Sequence, residues 1–234
     1  MHARIALAGV LAFTLALGLA AAVPLSPPRA VVAPTATPWH TAPPLVGDGP
    51  PPVGVGRGSR ARTQVGPLRI PIGGQGIPDE TALLPEAARD YRAGIHEGID
   101  FAVDAGTPVL AAADGRVVRA DREFTDWTAE ERAAAFAQAI ELGRTPERTL
   151  DRIRGRQVWI EHGAGVVTRY VHLQSVSVSA GEHVRAGTVI GSVGSSGYPE
   201  GGPHLHFEIR IGDSYLGDEL TPAELARALR QAFR

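Results

Sequence analysis

From Ile99 to Ile211 the chain is cut into short β-type runs closed by glycines, and this punctuation constrains the fold most. The runs are Ile99–Val103, Gln157–Glu161, Val166–Leu173, Val189–Val193 and Leu205–Ile211. Gly106-Thr107-Pro108, Asp114-Gly115, His162-Gly163 and Ala180-Gly181 supply turns between them. Many short strands joined by glycine turns predict a mainly β domain built on antiparallel sheet.

Helical signals interrupt and close this pattern. Thr128-x-x-Glu131 is a capping box, and Ala129–Leu142 is rich in helix formers before Gly143. Thr145-Pro146 then opens a second helical segment running to about Ile153, so residues 121–156 are expected to form a helical insertion. Thr221-Pro222-Ala223-Glu224 starts a C-terminal helix ending near Phe233. A short helix is also expected around Leu83–Arg89, within the segment from Leu68 to Arg92 that leads into the domain. The folded domain is therefore placed at residues 68–234.

What precedes it reads differently. His2 and Arg4, an apolar run from Ile5 to Val23 and the small residues Ala20-Ala21-Ala22 describe an export signal over residues 1–22, with cleavage expected after Ala22. The apolar run also sits at the lower length limit for a membrane anchor, so a membrane role is expected only if the signal stays uncleaved. Residues 23–67, dense in Pro, Gly, Ala and Val, read as a tether. Either way the domain is expected to be exported, to periplasm, cell envelope or the outside of the cell. A formal net charge of -2 gives no case for a nucleic-acid partner. With no cysteine in the chain, disulfides, Fe–S clusters and thiol nucleophiles are excluded, and any zinc must be held by His, Asp or Glu.

Two spacings can answer that last requirement. His204 and His206 flank Leu205 in a β-like run, so both imidazoles would leave one face while Leu205 enters the core. His96 and Asp100 stand four apart at the entrance to a strand, and Gly98 with the β pattern after it favours strand over helix there. A catalytic zinc takes three protein ligands and leaves one position for water, and two His with one carboxylate make such a set. A further His beside the metal can act as general base or acid, since its free pKa lies near neutrality. Alternation alone allows either His204 or His206 to be the ligand.

Seven segments in order then carry a family resemblance: His96–Ala102, Gly106–Val109, Ala113–Gly115, Ile160–Gly163, Thr168–Leu173, Gly181–Gly187 and Gly202–Glu208. From about Tyr91 to Arg210 the chain resembles the lysostaphin/LytM-type metallopeptidases, peptidase family M23. The resemblance implies a β-rich domain with an open active-site groove, one Zn²⁺ ion, and hydrolysis of peptide cross-links in bacterial peptidoglycan. Carried over by position, it implies His96, Asp100 and His206 as metal ligands and His172 and His204 as the catalytic histidines beside them. Related domains that have lost ligands activate other wall hydrolases without catalysis. That regulatory role is the alternative, although all five positions here keep the needed residue type.

The remaining aromatic and histidine residues carry lesser expectations. His162 reads as structural, bonding a turn backbone; His183 reads as solvent-facing, and His2 and His40 fall in the signal and the tether. Tyr170 reads as packing with the groove as the alternative, Trp159 as core, and Tyr91 and Tyr198 as candidates for the groove edge. The insertion is the main departure from the family pattern. It reads either as a surface hairpin of helices or as a lid or docking site for a regulatory protein partner. A lid that occluded the groove would raise activity on small peptides when removed.

Overall fold

Antiparallel pairing organises residues 67–233, the part of the chain that the computed structural model describes. The expected export signal and tether, up to residue 66, lie outside the described residues. In chain order the first strands are β1 (Ala88–Arg89), β2 (Gly94–Ile95), β3 (Ile99–Phe101), β4 (Pro108–Leu110) and β5 (Gly115–Ala120). The helices α1 (Ala129–Leu142) and α2 (Glu147–Arg154) follow. After them come β6 (Val158–Glu161), β7 (Val166–Val171), β8 (Leu173–Val176), β9 (His183–Val184) and β10 (Val189–Val193). The chain closes with β11 (Leu205–Ile211), β12 (Ser214–Tyr215) and α3 (Pro222–Ala232).

The large sheet runs β12-β11-β7-β6-β5-β9, and β3 pairs with the first half of β11 on the edge that β12 takes further along. A second sheet, β4-β10-β8, packs into the same core, and β1 and β2 make a small hairpin. Fully buried Phe101, Ile160, Tyr170, Leu205 and Phe207 fill the space between. Each contributes about 1.5–3 kcal/mol by leaving water. The mainly β, antiparallel class expected from the glycine-bounded runs is what the chain adopts.

The capping box read at Thr128 forms, and a second one accompanies it. Thr128 Oγ1 accepts from the Glu131 N–H while the Glu131 carboxylate accepts from the Thr128 N–H, and α1 ends at Gly143 in the left-handed region. Thr221 and Glu224 repeat the arrangement at the start of α3. Among the described residues no helix is long and apolar enough to cross a membrane.

Three local expectations are corrected. Leu83–Arg89 is not a helix: a 3₁₀ turn covers Thr81–Leu83, and Ala88–Arg89 is strand. Pro85 is the reason, because the residue before a proline is pushed out of the helical region, and Leu84 is extended at φ -105 and ψ 162. Val166–Leu173 is not one strand either, since His172 takes φ 61 and divides it into β7 and β8. Trp159 is not core. With Val158 and Ile160 inward, alternation sends it to the outer face, where the Arg169 and Arg119 guanidinium groups lie 3.8 Å and 4.8 Å from its ring.

Candidate metal centre

The register of β3 against β11 creates the centre. Asp100 and His206 are directly opposed partners in that antiparallel pair, so they leave the same face of the sheet. Their flanking partners, Ile99 with Phe207 and Leu205 with Phe101, turn the other way into the core. His96 comes in from the preceding segment, whose backbone is clamped on both sides. Its N–H donates to Ala87 O at 2.8 Å, and its carbonyl accepts from the Glu86 N–H at 2.9 Å. Gly98 makes room for this approach, because a Cβ there would lie 2.6 Å from the Phe207 carbonyl and 2.9 Å from the His206 ring.

His96, Asp100 and His206 are all buried, and one donor atom of each converges on a single spot. His96 Nε2 lies 2.9 Å from both His206 Nδ1 and Asp100 Oδ1, which are 2.8 Å from each other. The far side of each group fixes its role. His96 Nδ1 faces the Leu84 carbonyl at 2.8 Å, which can only accept, so Nδ1 carries the proton and Nε2 offers a lone pair. His206 Nε2 faces Glu208 Oε1 at 3.3 Å. Asp100 Oδ2 accepts from Arg89 at 3.3 Å, which orients the carboxylate.

Three acceptors therefore meet with room for one cation among them. A proton can supply that charge. Burial pulls His206 down, but the bonds to Asp100 and Glu208 outweigh it and push it up to about 9. Burial lowers His96, against the opposing Asp100 bond, and so keeps it neutral. Burial would raise Asp100, yet the His206 and His96 bonds hold it well below the usual carboxylate range. A divalent metal ion would compete for the same spot, and two imidazole nitrogens with one carboxylate oxygen, backed by Glu208 and the Leu84 carbonyl, suit one.

Two more imidazoles stand beside the trio. The His172 ring centroid is 4.6 Å from that of His204 and 5.9 Å from that of His206. His172 donates from Nδ1 to the Ser196 carbonyl at 2.9 Å, and His204 from Nδ1 to the Gly202 carbonyl at 2.9 Å. Each is thereby left with Nε2 as an acceptor, and that of His204 is 3.9 Å from Asp100 Oδ1. Burial, with His204 and His206 nearby, lowers His172 to about 3, so it rests neutral. All five residues line one cavity of about 250 Å³.

The other expectations sort by contact. Tyr91 and Tyr198 line the cavity and stack on each other with ring centroids 5.4 Å apart. Tyr170 is core, accepting from the Ala112 N–H at 2.7 Å and packing on Phe207. His162 bonds the Asp114 carbonyl through Nδ1 at 2.7 Å, and His183 is exposed. Leu150, Ile153 and Arg154 of α2 also line the cavity, so the insertion forms part of its wall. Sequence reasoning missed Glu208, Ser196 and Arg154. Glu208 had a signal, since it continues the two-residue period of His204 and His206 on the same face. Ser196 and Arg154 had none, because their contacts cross 24 and 54 positions of sequence.

Comparison with known proteins gives the same direction. The family model "Peptidase family M23" matches residues 94–217, just over half of the chain. The DD-carboxypeptidase/endopeptidase Mpg of Neisseria meningitidis is 36% identical over 142 residues, covering 59% of this chain and 26% of that protein. The peptidoglycan DD-endopeptidase ShyC of Vibrio cholerae is 30% identical over 134 residues, covering 57% and 24%. Lysostaphin of Staphylococcus staphylolyticus is 34% identical over 116 residues, covering 49% and 18%. The chain thus spans about a quarter or less of these relatives' length. Among solved structures, the catalytic domain of lysostaphin from Staphylococcus simulans is 24% identical, covering 70% of this chain and 89% of that one, at a TM-score of 0.38.

Proposed function

The chain belongs to peptidase family M23, and on that premise we propose that it is an exported, zinc-dependent endopeptidase that hydrolyses peptide cross-links of bacterial peptidoglycan. The observation that carries this reading is the convergence of three possible ligand atoms, from His96, Asp100 and His206, in a cavity flanked by the imidazoles of His172 and His204. His96 Nε2, Asp100 Oδ1 and His206 Nδ1 would hold the ion. When bound, zinc supplies a lowered pKa for the attacking water and polarises the scissile carbonyl.

The chain's own residues handle the protons. The base is assigned to His204 because burial and the neighbouring imidazoles make His172 reluctant to take a proton. His204 Nε2 takes the proton from the attacking water, and the imidazolium so formed returns it to the leaving amine. His172 stands opposite; it would take a proton from solvent in the cavity as negative charge builds on the substrate oxygen, stabilise that oxygen through Nε2–H, and give the proton back to solvent when the carbonyl re-forms. Retention of all five residues supports hydrolysis over a purely regulatory role. The names of the relatives support a peptide of the cell wall as substrate.

The test is digestion of purified sacculi, with mass spectrometry of released fragments, alongside zinc analysis. His206→Ala is expected to lose zinc and activity together. His204→Ala and His172→Ala are expected to keep zinc and to lose about 10²–10⁴-fold in turnover. Full zinc content and activity in His206→Ala would overturn the ligand assignment.

A further inference from the structure

Resting on the zinc-peptidase reading, we propose that Arg154, delivered by the helical insertion, is a positioning residue of the metal centre that fixes His206 through Glu208. Arg154 ends α2 and is buried, at 3% exposure, against Glu208 at 1%. Its Nε donates to Glu208 Oε1 at 2.6 Å. That same oxygen faces His206 Nε2 at 3.3 Å, so Arg154 and His206 share one acceptor atom. Arg169 and Arg210 also reach Glu208, but on Oε2 and at 3.3–3.4 Å. Arg154 therefore decides where Oε1 sits, and Oε1 decides the orientation and tautomer of the His206 ring.

The same residue holds two other parts of the site. Its Nη2 donates to Glu97 Oε2 at 2.9 Å, and Glu97 directly follows His96. Its carbonyl accepts the His172 N–H at 2.9 Å, at the backbone position with φ 61. One residue thus ties the segments of His96, His172 and His206 together. Burial would lower the guanidinium, but Glu208 and Glu97 overcome it and raise its pKa, so the charge is kept. Burial would raise Glu208, and Arg154 with the His206 bond holds it far below the usual range.

A buried ion pair can also be merely structural, since removing one member of such a cluster is costly in itself. The test separates the two by measuring zinc affinity with a competing chromophoric chelator in folded protein, for wild type, Arg154→Met, Glu208→Met and the double variant. Arg154→Met is expected to weaken zinc binding by about 10- to 100-fold, the usual cost of losing an outer partner of a ligand. In the Glu208→Met background the same change is expected to add less than about twofold, because no acceptor is left between Arg154 and His206. Unchanged affinity in Arg154→Met, or losses that simply add, overturns the proposal. If Arg154→Met does not fold, Arg154→Lys carries the test. It keeps the charge but not the fork that spans Glu97 and Glu208, so affinity must still fall several-fold. Absence of zinc binding by the wild type would instead sink the zinc reading itself.

Discussion

A single backbone angle decides where His172 points. Strict alternation from Tyr170 would put residue 172 on the core side of β7; the left-handed φ of 61 turns its imidazole towards His204 instead. Such a conformation costs on the order of 1–3 kcal/mol in a non-glycine residue and persists only when its surroundings hold it. Here the Arg154 carbonyl holds the main chain and the Ser196 carbonyl holds the ring. Nothing in Thr168–Leu173 announces this break, so only the family resemblance could single out His172. His206 and Asp100 differ, because alternation and spacing made both visible as candidates. His162 belongs to the same scale and has a measurable consequence. Burial lowers its pKa, against the opposing Asp114 bond, while the unfolded chain titrates near 6.5. Below that pH the unfolded state binds more protons. The contribution is thus fully present above about pH 6.5 and lost as pH falls towards the folded pKa. In urea melts from pH 7 to 5, His162→Gln is expected to show a shallower loss of stability than wild type. Parallel profiles would remove His162 from the account of acid sensitivity.

At the scale of elements, the insertion was legible as helices and illegible in what it does. Its caps and lengths follow local rules, and α1 spans the stretch its capping box marked out. Its role depends on where it returns to the sheet. Gly197 donates to Asp126 at 2.5 Å and accepts from the Trp127 indole at 2.7 Å, so the insertion's start grips the loop between β10 and β11 at both backbone atoms. Its end is packed just as closely. Gly155 sits at φ 66, where an added Cβ would lie 2.2 Å from the Ser196 carbonyl oxygen, and Arg156 N–H donates to Ser196 Oγ at 2.9 Å. A removable lid would not be built this way. Because Ala120 faces Val158 and the Asp121 N–H donates to Gln157 O at 2.9 Å, residues 122–156 can be replaced by an Asn-Gly turn within the existing β5–β6 ladder. That variant is expected to lose zinc affinity and to hydrolyse small peptides more slowly than wild type. A gain in small-peptide activity would restore the occluding lid.

For the whole molecule, the question is what braces β11 from behind. β11 carries His206 towards the cavity and Phe207 and Ile209 towards the core. The two ends of the described chain close over that core. The Leu68 N–H donates to Ala232 O at 2.7 Å, and Phe233 approaches Phe207 with ring centroids 6.1 Å apart. α3 buries Leu225 and Leu229, the latter at 2% exposure beside Phe207 and Ile209. Its existence was plain from Thr221-Pro222 and Glu224. Its docking partner was not, because pairing between residues so far apart leaves no local pattern. Leu229→Ala removes a buried side chain from this brace and is expected to cost about 2–5 kcal/mol in urea denaturation. The His206 imidazole leaves the opposite face of β11, and its hydrogen bonds do not pass through Leu229. Zinc affinity of the folded variant is therefore expected to stay within about twofold of wild type, well under the tenfold that 1.4 kcal/mol would produce. A large fall in affinity with little loss of stability would mean that α3 tunes the site through β11, and that brace and site are not separable.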